Sequence, residues 1–264
     1  MINAFFGFKK EPFTKDIDTK EIFLSDTFKE LLSRLDYMKN NRGLMLLTGE
    51  AGTGKTLAIR TFVESLNTNL YLPLYIPLST VSVSEFYRQL NLKLTGEFLY
   101  RKVDLFHSIQ ASVKDYVTNR KKVPVIILDE SHLLKFENLH EIPIILNFDI
   151  DSTDPLIFIM VGQQHLRDKI TRPIHLSLNQ RFSMRYHLAF LDKKETRAYV
   201  EHRLNICGTR ENIFSDQAIE AIYQNTTGVP RAIDSIALKA LTLAAIRKRS
   251  IITEEEIFSA SKEI

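Results

Sequence analysis

The sequence predicts an α/β fold, a parallel five-stranded sheet flanked by helices and followed by a small all-helical domain. Three observations carry this. Short apolar runs alternate with helical patterns at Leu44–Thr48, Leu70–Leu78, Val123–Asp129, Leu156–Val161 and Met184–Leu188, as in a parallel sheet buried on both faces. A glycine-rich segment links the first run to a helical pattern. After about Leu191 no further strand pattern occurs and four helical segments follow.

Taken in order, Ser25 is an expected N-cap, and Phe28, Leu31, Leu32, Leu35 and Met38 keep helical spacing as far as the loop residues Asn40, Asn41 and Gly43. Beyond the glycines the pattern resumes over Lys55–Leu66. Helices are expected at Ser82–Leu94 and Asp104–Asn119, and helical segments after Asp129 are expected to be interrupted at Pro143, which breaks the hydrogen-bond ladder. The last four helices are placed at Lys193–Asn205, Ser215–Gln224, Pro230–Arg247 and Thr253–Ser261. The expected division is therefore an α/β domain over 1–190 and a helical domain over 191–264. No Pro/Gly/Ser linker separates them, so close packing is expected.

Composition bounds the functional classes. With 264 residues, 44% hydrophobic and 25% charged, the chain can build a proper core and is not a disordered polymer. A lone cysteine, Cys207, excludes an internal disulfide framework and fits a reducing compartment. Met1–Lys10 carries its basic residues after its apolar ones, unlike a signal peptide. The run Ile236–Ile246 is interrupted by Lys239 and is too short to span a bilayer. The expectation is a cytoplasmic protein with no membrane insertion. A net charge of +3 permits nucleic-acid binding without demanding it, and the seven histidines show no metal-ligand spacing.

Chemistry is concentrated in two motifs. Gly49-Glu50-Ala51-Gly52-Thr53-Gly54-Lys55-Thr56, continued by Leu57, matches the phosphate-binding P-loop pattern between a predicted strand and a predicted helix. There the glycines let successive N–H groups and a helix N-terminus face a phosphate chain. Lys55 is expected to neutralise the β- and γ-phosphates of ATP, and the Thr56 hydroxyl to ligate Mg²⁺. The bland alternative is a glycine-rich turn with a chance lysine. Second, Val125-Ile126-Ile127-Leu128-Asp129-Glu130 is an apolar strand ending in two carboxylates, a Walker B pattern. Asp129 would reach the metal shell and Glu130 would polarise a water for attack, although strand ends also carry acids simply to be solvated. Ser131-His132 extends the stretch into a helicase-like box, but other helicase motifs do not accompany it.

The order of P-loop, Asp-Glu pair, polar strand end, arginine before the last strand, and Gly228-Val229-Pro230-Arg231 resembles the AAA+ family. Phe5-Phe6-Gly7-Phe8, Pro12-Phe13, Leu47-Thr48-Gly49-Glu50, Leu128-Asp129-Glu130, Val161-Gly162-Gln163 and Arg185-Tyr186-His187-Leu188 look like the ATPase module of general secretion pathway protein A and of related transposon target-selection ATPases. The resemblance implies an ATP-hydrolysing enzyme with ATP and Mg²⁺ as cofactors. It implies that Gln163 is a polar sensor, with a helix cap as the alternative. Arg181 would be the finger that reaches a neighbouring subunit's nucleotide, with Arg172 and Arg185 as competitors. Arg231 would be the second sensor, with a plain helix start as the alternative. Phe5, Phe6 and Phe13 either line an adenine pocket or seal the core.

The resemblance further implies a ring or helical homo-oligomer. Membrane-anchored secretion ATPases of this module carry a membrane segment and a wall-binding region, whereas this sequence ends at Ile264 without them. The expectation is therefore assembly on duplex DNA as a regulator of transposition, with a transposase as partner. A secretion-type protein-assembly switch with no nucleic-acid role is the alternative. Arg101, Lys102, Lys114 and Arg120–Lys122 are candidate phosphate contacts in a central channel, or an ordinary solvated face.

Overall fold

The computed structural model describes residues 2–77, 81–209 and 212–262. The chain divides into two compact units, one of Glu30–Ala51 and Lys55–Leu188, the other of Met1–Lys29, Gly52–Gly54 and Ala189–Ile264. The elements in chain order begin with α1 (Ile2–Phe6), α2 (Asp26–Asn41), β1 (Gly43–Thr48), α3 (Lys55–Glu64), β2 (Tyr71–Pro77), α4 (Val83–Thr95) and α5 (Lys102–Thr118). They continue with β3 (Val123–Asp129), α6 (Phe136–Ile145), β4 (Ile157–Gly162), α7 (Gln164–Ile170), α8 (Leu176–Arg181) and β5 (Phe182–His187). The last four are α9 (Lys193–Asn205), α10 (Asp216–Thr226), α11 (Pro230–Ile246) and α12 (Glu254–Ser261).

The larger unit is built on one five-stranded sheet in the order β2-β3-β4-β1-β5, with every neighbouring pair parallel. Its three central strands read as near-continuous apolar runs because both faces are covered. Val125, Ile126, Ile127 and Leu128 are all fully buried, each contributing roughly 1.5–3 kcal/mol relative to exposure. Pro73 and Pro77 fall in β2, an edge strand, where a missing N–H breaks no central ladder. The register sets Thr48 beside Gly162 and Pro77 beside Asp129, so Gly49, Glu130 and Gln163 all leave the sheet along its carboxyl edge. That edge is where open α/β sheets bind ligands.

In the smaller unit, α9 to α12 bury one core that includes Val200, Ile222, Ile233, Ala237, Leu241 and Ile257. Capping boxes start α9 at Asp192/Glu195 and α12 at Thr253/Glu256. Phe8 and Phe13 insert into this core, at 6% and 4% exposure, and Phe6 packs against it, whereas Phe5 remains 40% exposed. The Arg203 guanidinium is also inside, 2% exposed, donating to the Thr14 carbonyl, the Tyr199 hydroxyl and Asp234. These contacts tie the N-terminal segment to the helices. The expected α/β domain began at residue 1, whereas Met1–Lys29 belongs with the helical unit.

A second difference concerns Pro143, which lies inside α6 and does not interrupt it. It stands in the last turn, where only one ladder bond is lost, and the Leu146 N–H still donates to the Ile142 carbonyl. Strand β5 starts at Phe182, two residues before its expected start. The expected end of the second strand, Leu78, lies outside the described residues. Among those residues no helix is long and apolar enough to cross a membrane.

Candidate nucleotide-binding site

Between β1 and α3 the chain makes a tight loop whose conformation demands glycine at two points. Gly52 and Gly54 have φ of +83° and +102°, a region costly for any residue with a Cβ. In the helical unit a Cβ on Gly52 would also stand 2.9 Å from the Arg231 Cβ and 3.1 Å from a Val229 methyl. The Arg231 N–H reaches the Gly52 carbonyl at 3.3 Å, while Arg231 as a residue is exposed. Gly49 and Thr53 are buried, Glu50 and Ala51 are exposed, and Leu57 is half-buried. Lys55 is the first residue of α3 and only 9% exposed. Its Nζ curls back to donate to the carbonyls of Gly49 (2.7 Å) and Glu50 (2.8 Å), so its charge is held against the loop. The first-turn N–H groups of α3 have no partner within the helix and favour an anion.

The second motif meets the first at Asp129. Strand β3 delivers this carboxylate 96% buried, where it accepts from the Thr56 hydroxyl at 3.3 Å, the Tyr75 hydroxyl at 2.7 Å and the Glu130 N–H at 2.8 Å. Burial, followed by the hydrogen bond to Asp129, pushes the Tyr75 hydroxyl far above its ordinary pKa, so it stays protonated and donating. Glu130 turns into the left-handed region (φ 55°, ψ 31°), and its side chain is half exposed. Tyr75 was not singled out by sequence. Its one available signal is the period-2 alternation of β2, which sets it on the face opposite buried Leu74 and Ile76.

The remaining expected residues are placed as follows. Gln163 directly follows β4 at the N-cap position of α7, and its side chain makes no capping hydrogen bond. Gly162 before it is closely packed, since a Cβ would come within 2.8 Å of the Leu166 Cδ2 methyl and 3.2 Å of the His132 backbone nitrogen. Lys55, Thr56, Asp129, Glu130 and Gln163 thus share the carboxyl edge. Arg181 does not. It ends α8 just before β5, whose first residue pairs with Leu44 near the start of β1, and it is bound to Asp151 at 2.6 Å. Arg185 holds Asn179 and lies over the Phe182 ring, and Arg172 lies over Phe136. Of the expected phosphate contacts, Arg101, Lys102, Lys114 and Arg120 each pair with a carboxylate, namely Asp104, Glu141, Asp149 and Asp115.

Comparison with known proteins agrees with this geometry. The model of the AAA domain family matches residues 38–170, about half of the chain. General secretion pathway protein A of Aeromonas hydrophila is 29% identical over 270 residues, covering 100% of this chain and 48% of that protein. The chain therefore spans about half the length of that curated relative. Among solved structures, Cdc6p from Pyrobaculum aerophilum superposes with a TM-score of 0.68 at 18% identity, over 94% of this chain and 71% of that one. Drosophila ORC bound to DNA gives 0.69 at 16% identity, over 94% and 62%. The Thermotoga maritima RuvB Holliday junction branch migration motor gives 0.59 at 18%, over 95% and 72%. At these identities the structures establish the fold alone. With the family's model spanning the loop, the apolar strand and its carboxylates, the chain belongs to the AAA domain family and is related to general secretion pathway protein A.

Proposed function

We propose that the chain binds ATP with Mg²⁺ and hydrolyses it, in an assembly of identical subunits. The observation that carries this is the meeting of Thr56 and Asp129, oxygen to oxygen at 3.3 Å, beside a lysine already turned onto the loop. Two ligands on adjacent corners of a Mg²⁺ octahedron stand about 3 Å apart, given metal–oxygen bonds of about 2.1 Å, so the pair fits the ion. When bound, Mg²⁺ neutralises charge on the β- and γ-phosphates. Gly49–Leu57 would hold the phosphate chain, with Lys55 leaving its two carbonyl partners for phosphate oxygens. Glu130, exposed one step beyond the buried strand, would accept a proton from the attacking water. Gln163 would orient that water or contact the γ-phosphate, and Arg231 would act as the second sensor. Arg181 would complete a neighbour's site. On this reading residues up to about 190 supply the nucleotide-binding domain and residues from 191 the helical lid, with Met1–Lys29 added to the latter.

Two readings of what hydrolysis drives are each favoured by one observation. Assembly on duplex DNA, as a regulator of transposition acting with a transposase, draws support from a fold shared with ORC bound to DNA and a branch migration motor. Its weak point is the pairing of four expected phosphate contacts with carboxylates. A secretion-type assembly switch draws support from a similarity to general secretion pathway protein A that runs the whole length of this chain. The test is duplex-DNA binding across a salt series with ATP, ADP and a non-hydrolysable analogue, with assembly size followed. Binding that needs ATP and weakens steeply with salt supports the DNA reading. Nucleotide-dependent assembly indifferent to DNA supports the other. No ATP turnover by assembled protein overturns the hydrolase reading itself.

A further inference from the structure

His132 lies just past the Walker B carboxylates and is given no role by the reading above. Its ring is almost buried, with its side chain 8% exposed, and Nδ1 stands 3.2 Å from Glu130 Oε2. At that distance the two are out of line for a hydrogen bond, and this buried nitrogen makes no other. A buried ring nitrogen without a partner is costly, and the Glu130 carboxylate is the acceptor found 3.2 Å away.

The surroundings hold the turn and the ring, while the Glu130 side chain is half exposed. The turn Ser131–Leu133 is held by hydrogen bonds from Ser131 and from Lys169. The Ser131 hydroxyl donates to the Leu128 carbonyl at 2.8 Å. Lys169 of α7 donates to the carbonyls of His132 at 2.6 Å and Leu134 at 3.3 Å. Gly162 of β4 lies close against the turn, where an added Cβ would stand 3.2 Å from the His132 backbone nitrogen. The imidazole itself stands edge-on to His165 of α7, with ring centroids 4.6 Å apart. Burial, opposed by Glu130 and reinforced by His165, Lys169 and Lys55, holds its pKa below the ordinary histidine value. A neutral ring can offer Nδ1–H to a carboxylate without forming an ion pair that would weaken it as a base.

We propose that His132 is a positioning residue that orients the Glu130 carboxylate toward the attacking water by donating a hydrogen bond from Nδ1, with α7 holding the ring in place through Lys169 and His165. The proposal rests on the reading of Glu130 as the activating base. It also connects the helix that follows Gln163 to that base, because Lys169 and His165 lie on the same short helix.

The test is ATP turnover by assembled protein for His132→Ala, His132→Asn and Glu130→Gln, each alone, and for the double variant H132A/E130Q, with nucleotide affinity measured beside it. Asparagine keeps a donor near the position of Nδ1. The expected result is a kcat about tenfold lower for His132→Ala with KM and nucleotide affinity unchanged, substantial recovery in His132→Asn, and no further loss when His132→Ala is added to Glu130→Gln. An equal loss in both His132 variants, a rise in kcat, or a full extra loss in the double variant overturns the proposal. If His132→Ala fails to fold, His132→Phe, which keeps a ring but no donor, and the double variant H132F/E130Q carry the same comparison. Hydrolysis that survives Glu130→Gln removes the base reading and this proposal together, whereas a dead Glu130→Gln beside an unaffected His132→Ala removes only this proposal.

Discussion

The two edges of the sheet are built in opposite ways. Along the carboxyl edge Lys55 and Asp129 are buried and held by neutral partners: Lys55 is 9% exposed and donates to two loop carbonyls, and Asp129 is 4% exposed and accepts three hydrogen bonds. At the amino edge, five strand steps or roughly 17 Å away, Arg181 is held by a half-exposed aspartate on a loop in which Asp149, Ile150 and Asp151 are all left-handed. Ile150 at its tip is 98% exposed. A surface cleft of about 240 Å³ lies there, lined by Gly43, Phe148, Asp151, Asp154 and Arg181 among others. The motif residues of the carboxyl edge are held by burial, while Arg181 at the amino edge lies nearer the surface with its charge paired to Asp151.

The strongest way to break this comparison is to remove the arginine. Arg181→Ala should lower turnover of assembled protein by about 10³-fold or more if it serves as the finger, and mixing it with a Lys55→Ala protein should restore activity, since each supplies what the other lacks. Equal activity of the variant and the parent, measured as phosphate release, would place the finger at Arg172 or Arg185. Next in size, Glu130→Gln should cut turnover on the order of 10²-fold while ATP binding, followed by fluorescence of a labelled nucleotide, is kept. Gly52→Ala should weaken ATP affinity about tenfold, because the left-handed backbone costs roughly 1–2 kcal/mol and the added carbon meets Arg231 and Val229.

Smaller effects sharpen the contrast. Asp151→Asn loses only a surface ion pair, worth at most about 1 kcal/mol, so turnover should change by less than about fivefold. A loss comparable to that of Arg181→Ala would show the amino edge to be as tightly built as the other. Smallest of all, Asp149 has its carboxyl pKa lowered by hydrogen bonds from Lys114 and Thr153. A depressed folded-state pKa means that the contribution is present above about pH 4, the unfolded value, and is lost as pH falls through the lower folded value. Protease cleavage at the 149–153 loop should rise only on acidification below about pH 4, and Asp149→Asn should remove that dependence.

Sequence pattern located the elements well where one local signal dominated. Strand β3 runs over Val123–Asp129 as expected, because four consecutive apolar residues end at two acids. Helix α9 runs over Lys193–Asn205, set by its capping box. The misplacements have tertiary causes. Phe8 and Phe13 lie on irregular chain with no period, so nothing local assigns them to the helical core. Pro143 carries a local breaker signal that the end of α6 tolerates. In the same way the P-loop and Walker B residues were legible as spelling, whereas Tyr75 on Asp129, 54 residues apart, and Asp151 on Arg181 are meetings across the fold. His132 was visible as a letter in a helicase-like box, and only geometry shows its ring beside Glu130.

Cys207, the one cysteine of the chain, sits in the helical core at 2% exposure with its Sγ–H on the Arg203 carbonyl, and burial raises its thiol pKa. It therefore stays silent toward thiol reagents until the helical unit opens. The rate of its labelling becomes a clock for the opening of that unit, since the sheet unit has no cysteine of its own, and any dye attached to an engineered surface cysteine such as Ile150→Cys will report from one address.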